Sequence, residues 1–367
     1  MESLEQRIKQ AINALKAGKM IMVKDDDDRE GEGDLIAAAS TMDEPSMAFM
    51  IRHTSGIICA PLTRSRAKNL GLHEMVPDHN NDTPYQTAFT ISIDAKKNLT
   101  TGISAKERLT AVQMLANKKS TANDFVKPGH IFPLIAKPGG VLTRSGHTEA
   151  AVDLMLLAHL PDVGVIGELI NDDGTVKKGN DLISFANKHH LVILTIDDII
   201  AHRQGREQLL TLKNKKPIVM NVAGKSLTAS LFIYQTIFDD IPHYALVFGK
   251  IDSDGKIKNN QTIMTRLHIE NLPDDIFGNK HDLEKAIKML VKESASQASV
   301  LIYLRRGTVG VATNNHEVRQ KAWREIGVGA QILKHLGVEK INLLAHHEKQ
   351  YLGLSGFGLV IEKFTQF

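Results

Sequence analysis

The chain has 367 residues, 42% hydrophobic and 24% charged, with a formal net charge of +3, the scale of about two globular domains. That charge is mild and its Lys and Arg are scattered without interleaved aromatics, which argues against a nucleic-acid partner. The single cysteine, Cys59, excludes an intrachain disulfide and any multi-cysteine zinc site. The charged N-terminus lacks an apolar signal core and no run approaches a membrane span, so the expectation is a cytoplasmic protein with no membrane partner.

In chain order, residues 3–16 predict an amphipathic helix. Ser3 caps it, Leu4, Ile8, Ile12 and Leu15 share a face, and Gly18 ends it. Met20 to Val23 predicts a strand. At its carboxyl end, where α/β folds commonly place ligands, stands Asp25-Asp26-Asp27-Asp28-Arg29-Glu30-Gly31-Glu32-Gly33-Asp34. Acids at that density repel one another unless a positive charge sits among them. Arg29 alone does not neutralise them, whereas a divalent cation with oxygen ligands, Mg²⁺ or Mn²⁺, does. A solvated acidic loop is the competing reading. Placement after a buried strand, and spacing by glycines rather than lysines, favours the cation.

Further strands are expected over 57–60, 88–93 and 191–196, with helices over 104–117 and 148–159. The polar, Lys- and Arg-rich stretch from Ala201 to Pro217 reads as a linker. Beyond it come strands near Tyr244–Val247, Ile263–His268 and Val300–Leu304, a long helix over Glu317–His335, and strands over 341–344 and 359–361. The whole predicts two domains of α/β class (α+β, mixed-sheet), over 1–203 and 217–367, joined by residues 204–216.

Four segments carry candidate chemistry. Lys137-Pro138-Gly139-Gly140 to Glu149 feeds a Gly-bearing loop into a helix N-terminus, whose unpaired N–H groups suit an anion. Arg144 adds a planar fork and Ser145 and Thr148 add hydroxyls, as for a phosphate. His147 inside it contributes little to phosphate but can bind a metal. Pro128-Gly129-His130-Ile131-Phe132-Pro133 holds a histidine rigidly in a loop, incidental or catalytic. Glu168 precedes the Asn171–Gly174 turn, at a place for a partly buried acid or base. Thr100 to Ser104 is a weaker anion candidate, with Ser104 and Glu107 forming a capping box. Together these imply a divalent metal, a phosphate monoester and acid–base groups, a set that suits enolisation of a phosphosugar.

DDDDREGEGD, RHTSGIIC, TTGISAKER, KPGHIFPL, GGVLTRSGHTEAAVDLMLLA and GELINDDG closely resemble successive motifs of 3,4-dihydroxy-2-butanone 4-phosphate synthase, over about residues 4–203. The resemblance implies conversion of ribulose 5-phosphate to 3,4-dihydroxy-2-butanone 4-phosphate and formate, by a homodimer with sites at the subunit interface. It makes Glu30 and His147 metal ligands, puts Arg29, Asp34, Arg144, Ser145, Gly146, His147 and Thr148 on the substrate, and makes His130 and Glu168 essential for catalysis. Cys59 resembles a family position near the active site, and a small buried residue explains it equally well.

The second half is similar to GTP cyclohydrolase II in TRLHIENLPDDIFG, SVLIYLRR and REIGVGAQILKHLGVEKINLL. Where that family has three cysteines this chain has Asn271, Asp282 and Glu284, and Arg306 to Gly310 replaces its Gly-Arg-Gly motif. A tetrahedral zinc site needs thiolates there, so no zinc is expected and the domain reads as catalytically inactive. Two alternatives remain: a bifunctional enzyme that also opens GTP, and a binding or dimerisation module. Trp323, His189-His190 and His346-His347 read as packing or surface residues.

Overall fold

The computed structural model describes residues 2–25, 30–77, 80–83, 85–222, 224–236, 240–257, 261–276, 281–305, 327–345 and 359–366. Its contacts divide the chain into two units, 1–202 and 203–367. The first runs α1 (Leu4–Lys16), β1 (Ile21–Lys24), β2 (Gly33–Ala38), α2 (Glu44–His53), β3 (Cys59–Leu62), α3 (Arg64–Asn69), β4 (Ile93–Ala95), α4 (Ala105–Ala116), β5 (Phe125–Ile135), α5 (His147–Leu157), β6 (Gly164–Glu168), α6 (Gly179–Lys188), β7 (Val192–Thr195) and α7 (Ile196–Arg206). Two helices begin at the caps the sequence marks. The Ser3 side chain accepts from the backbone of Gln6, whose side chain accepts in return, and Ser104 and Glu107 do the same for α4.

The strands form one mixed sheet, ordered β4-β5-β3-β6-β2-β1-β7. β2 escapes a periodicity reading because all six of its residues are buried; a strand covered on both faces shows no alternation. It is antiparallel to both neighbours, with Val23 opposite Asp34 and Asp34 opposite Glu168. Cys59 stands opposite Ile166 and pairs with Phe132 of β5. Opposed residues share a face and alternate along each strand, so Asp34, Glu168, Ile166, Cys59 and Leu134 line one side. The other side carries the core, where Met22, Leu35, Ala37 and Val165 meet Met47 and Met50 of α2, Leu115 of α4 and Leu182 of α6.

Three segments differ from the sequence-based reading. The loop expected at Pro128-Gly129-His130 is part of β5. Gly129 permits this, since a Cβ there would lie 2.1 Å from the carbonyl carbon of Ile93 and 2.3 Å from the nitrogen of Asp94. The strand expected over 88–93 is reduced to bridges at Phe89 and Thr90, and regular pairing begins at Ile93. Residues 204–216 are not a loose connector. They end α7 and start β8 (Leu210–Val222), which lies at the sheet edge with Lys213, Lys215 and Lys216 exposed. Charged lysines on an edge strand discourage further pairing, and they make a strand look like a linker.

The second unit continues with β9 (Lys225–Thr236), β10 (Pro242–Phe248), β11 (Ile263–Ile269), α8 (Leu272–Ile276), α9 (His281–Glu293), β12 (Ser299–Leu304), β13 (Lys340–Leu344) and β14 (Val360–Thr365). Its sheet is ordered β14-β13-β11-β12-β10-β9-β8, parallel from β14 to β12 and antiparallel beyond. Phe232, Tyr234, Val247, Val300, Ile302 and Ile341 form its core. Of the long helix expected over 317–335, residues 327–335 are helical and 317–326, with Trp323, lie outside the described residues, as do His346 and His347. Among the described residues no helix is long and apolar enough to cross a membrane.

Candidate active site

β1 ends at Lys24, and the acidic run carries the chain back into β2. Asp25 closes that turn. Its Oδ1 accepts the N–H of Glu32 at 2.8 Å and its Oδ2 that of Glu30 at 3.2 Å, while its own N–H donates to the Glu32 carbonyl at 3.1 Å. Gly31, at φ +65°, supplies the left-handed residue the turn needs. The result brings ligating atoms of Asp25, Glu30 and His147 within 4.8 Å of one another. His147 opens α5, and its Nε2 lies 3.1 Å from the carbonyl oxygen of Val23. A carbonyl only accepts, so Nε2 carries the hydrogen in that contact. His147 Nδ1 is 3.6 Å from Asp34 Oδ1. Arg29 and Asp26 to Asp28 lie outside the described residues.

Electrostatics show what charge the cluster suits. Asp34 is buried and its Oδ1 has no hydrogen-bond partner among the described residues. Burial, then the charges of Glu168, Glu30, Asp25 and Glu32, push its carboxyl well above the usual range. Burial and Glu30 raise Glu32 as well. Carboxylates so placed retain protons unless a cation joins them. A set of carboxylate oxygens and one imidazole nitrogen fits Mg²⁺ or Mn²⁺. Cys59 is close by, but burial and then Glu168 and Asp34 push its thiol up, so it stays protonated and a poor ligand.

Beside the cluster opens a pocket of about 110 Å³, lined in part by Glu30, Asp34, Arg144, His147, Thr148 and Glu168. Glu168 is exposed rather than partly buried, because it ends β6 at the open side of the pocket. Arg144 is fixed on three sides. Its Nε donates to the Tyr85 carbonyl at 2.9 Å, Nη1 to Glu149 at 2.6 Å, and Nη2 to the Thr87 hydroxyl at 2.8 Å. Each Nη carries a second hydrogen that these bonds do not use. Gly146 makes room for the pair, as a Cβ there would lie 2.5 Å from Nη1. From α5, Glu149 also accepts the N–H of Lys137 at 3.0 Å, and Asp153 that of Val141 at 2.8 Å. The loop is therefore held from behind, and Ser145, beside the helix start, does not line the pocket: its Oγ is buried with no hydrogen-bond partner among the described residues.

His130 is not brought together with the others: it does not line the pocket, and its Nδ1 lies 2.8 Å from Asp94 instead. The Thr100–Ser104 anion candidate is already filled. Thr100 N–H, Thr100 Oγ1 and Ser104 Oγ all donate to Glu107, at 2.7, 2.8 and 2.7 Å. These bonds, Ser104's first, hold that carboxyl down at about 2. Sequence reasoning misses Asp25, Glu149 and Asp94 as individuals. Nothing in four consecutive aspartates marks Asp25 as buried, and the other two act through tertiary contacts.

In the second unit Asn271, Asp282 and Glu284 are exposed. Asp275 is the hub: Oδ1 lies 2.9 Å from His268 Nε2, and Oδ2 accepts from the Tyr303 hydroxyl at 2.7 Å and the Asn271 N–H at 3.0 Å. Arg305 Nε donates to Glu270 at 2.9 Å. Arg306 to Gly310 lie outside the described residues.

Two families match in succession, 3,4-dihydroxy-2-butanone 4-phosphate synthase over residues 9–202 and GTP cyclohydrolase II over 219–366. The riboflavin biosynthesis protein RibBA of Bacillus cereus is 38% identical, covering 97% of this chain and 92% of its own length. The monofunctional riboflavin biosynthesis protein RIBA 2 of Arabidopsis thaliana, a chloroplastic protein, is 39% identical over 96% of this chain and 75% of its own. Among solved structures, RibBX, a two-domain 3,4-dihydroxy-2-butanone 4-phosphate synthase from A. baumannii, is similar at TM-score 0.80 and 36% identity, over 98% of this chain and all (100%) of that one. A synthase in complex with two magnesium ions is similar at TM-score 0.52 and 43% identity, over 54% of this chain and 97% of that one.

The clasp made by Asp25 yields a direct expectation. Asp25→Asn should weaken Mn²⁺ binding by about 10- to 100-fold, as loss of a ligand or of its supporting bonds does. Titration followed by electron paramagnetic resonance reads this, and an unchanged affinity would remove Asp25 from the site.

Proposed function

The chain belongs to the 3,4-dihydroxy-2-butanone 4-phosphate synthase family, and on that premise we propose how its residues divide the work. It is a lyase of riboflavin biosynthesis that converts D-ribulose 5-phosphate to L-3,4-dihydroxy-2-butanone 4-phosphate and formate. The observation that carries our assignment of the site is the convergence of Asp25, Glu30 and His147 beside Arg144, Thr148 and Glu168. Glu30 and His147 would hold Mg²⁺ or Mn²⁺, which supplies positive charge where enolisation builds negative charge on adjacent oxygens. The relative that binds magnesium supports this reading. Arg144, Ser145, Gly146 and Thr148 take the phosphate, and Arg29 and Asp34 contact the sugar. Glu168 and His130 accept and return protons during enolisation and the later carbon shift.

His130 does not line the pocket, so its part in the reaction requires a second subunit. We place the site at the interface of a cytoplasmic homodimer, with His130 contributed across it and with neither nucleic acid nor membrane as partner. Exposed apolar side chains support this. Ile57, which lines the pocket, Met75, Ile91 and Ile103 are each about half exposed, at 51, 51, 46 and 51%. Arg108 binds the carbonyls of Gly56 and Ile103, which brings Ile57 near Ile103, and Met75 N–H binds that of Phe89, which brings Met75 near Ile91.

For the second unit, from about residue 217 to 367, we propose a GTP cyclohydrolase II-like domain that does not open GTP. Asn271, Asp282 and Glu284 at the expected thiolate positions offer no tight tetrahedral zinc site. The ring of bonds around Asp275 engages His268, Tyr303 and Asn271 with one another.

Three outcomes check these roles. Formate release from ribulose 5-phosphate should vanish with excess chelator, return with Mg²⁺ or Mn²⁺, and fall by several orders of magnitude in Glu30→Gln; full activity under chelation would sink the cation reading. Glu30→Gln and His130→Ala should each be nearly inactive alone, yet after subunit exchange of an equal mixture recover about a quarter of the wild-type rate, since half the dimers carry one intact site. No recovery would put His130 within one subunit. Glu30→Gln protein given GTP and zinc should yield neither formate nor a pyrimidine, and multiple turnovers would make the protein bifunctional.

A further inference from the structure

A second polar centre lies where β4 meets β5. The two oxygens of Asp94 take two donors from a single residue: Oδ1 accepts the backbone N–H of His130 at 2.9 Å, and Oδ2 lies 2.8 Å from its ring Nδ1. The Asp94 side chain is 6% exposed and that of His130 is 38% exposed, so the carboxylate is inside and the ring reaches outward from it. A pair that merely tied two strands together would need only the backbone bond. The local fold does more. The β4–β5 register shifts between Ile93 and Asp94, and Gly129 lets the strands approach closely enough for both bonds. From above, Gly102 at φ +84° lies so close that a Cβ would be 2.1 Å from Asp94 Oδ2 and 2.7 Å from His130 Nδ1. Its segment is itself fixed, by Glu107 gripping Thr100 and Ser104 and by Arg108 Nε donating to the Ile103 carbonyl at 3.0 Å. The chain thus covers the inner nitrogen of the ring.

We propose that Asp94 is the positioning residue of His130: it fixes the ring as the Nδ1–H tautomer and leaves Nε2 as the atom that exchanges protons with substrate. This rests on the reading of His130 as an acid–base group. In the step it serves, Nε2 takes a proton from the substrate and the ring becomes an imidazolium, with Asp94 facing its Nδ1–H. Return of the proton from Nε2 restores the neutral ring, so no further reactant is needed. A carboxylate behind the ring both sets the tautomer and steadies the charged form.

The test compares full-length Asp94→Asn, His130→Ala and the double variant in formate release, with the tautomer of His130 read by ¹⁵N NMR of histidine-labelled protein and assigned with His130→Ala. Asp94→Asn is expected to lower kcat about 10- to 100-fold with KM changed less than about 2-fold, a share of the usual acid–base contribution. It should also shift the His130 ring toward the Nε2–H form. The double variant should be no slower than His130→Ala. Near-normal turnover by His130→Ala would overturn the reading of His130 and this inference with it. An inactive His130→Ala beside an Asp94→Asn of unchanged kcat would overturn the inference alone, as would a double variant slower than His130→Ala. If Asp94→Asn does not fold, the wild-type spectrum still decides: a His130 ring protonated at Nε2 rather than Nδ1 contradicts the proposal.

Discussion

Carboxylates that repel one another are forced together on one face of a sheet, and the first unit is organised around that conflict. Asp34 stands opposite Glu168 because β2 is locked between β1 and β6 in a register that puts Leu35 and Ala37 into the core. A slip of one residue would turn Asp34 into the core and carry both apolar side chains to the opposite face of the sheet. The hydrophobic register is thus strong enough to hold an electrostatic arrangement that is unfavourable by itself. Asp25 adds to it by spending its oxygens on the backbone of Glu30 and Glu32, which brings the Glu30 carboxylate to His147. A cation among the acids relieves the conflict.

Other acids of the same unit have the opposite task. Glu149 and Asp153 reach from α5 to the N–H groups of the loop before it, and Glu107 reaches from α4 to Thr100 and Ser104. Each holds a loop that contains or covers a candidate site residue. Because the bonds come from helices packed on the sheet, the loops inherit the rigidity of the scaffold. Arg144 shows the consequence. A guanidinium with three donors already engaged is oriented before an anion arrives, which lowers the ordering cost of binding it.

How far the sequence discloses this depends on whether the relevant contact is local. The caps at Ser3 and Ser104 join residues three apart, and the structure shows both. The acidic run and the loop into α5 are continuous motifs, and Glu30, Asp34, Arg144, Thr148 and His147 from them line one pocket. What stays hidden is long-range. β2 has no alternation to read, β8 carries lysines that resemble a linker, and Gly129 sits in a strand because of a neighbour far away in the chain. Asp94 is equally hidden: an aspartate within an apolar stretch takes its meaning from a ring that arrives 36 residues later.

The surroundings of the first unit's pocket and the Asp275 cluster of the second also differ in what their polar atoms leave undone. In the first, Asp34 Oδ1 and Ser145 Oγ are buried with no partner among the described residues. Leaving such atoms unsatisfied is costly unless a ligand completes them. In the second, both oxygens of Asp275 are engaged, His268 stacks on Tyr303 with ring centroids 5.2 Å apart, and burial lowers the His268 imidazole although Asp275 pulls the other way. The His268 ring is thus held from both its edge and its face by residues of the same domain. Once thiolates are absent, a cluster of this kind is stable only if its members satisfy one another. Here the bonds of Asp275 tie β11, α8 and β12 to one another through His268, Asn271 and Tyr303.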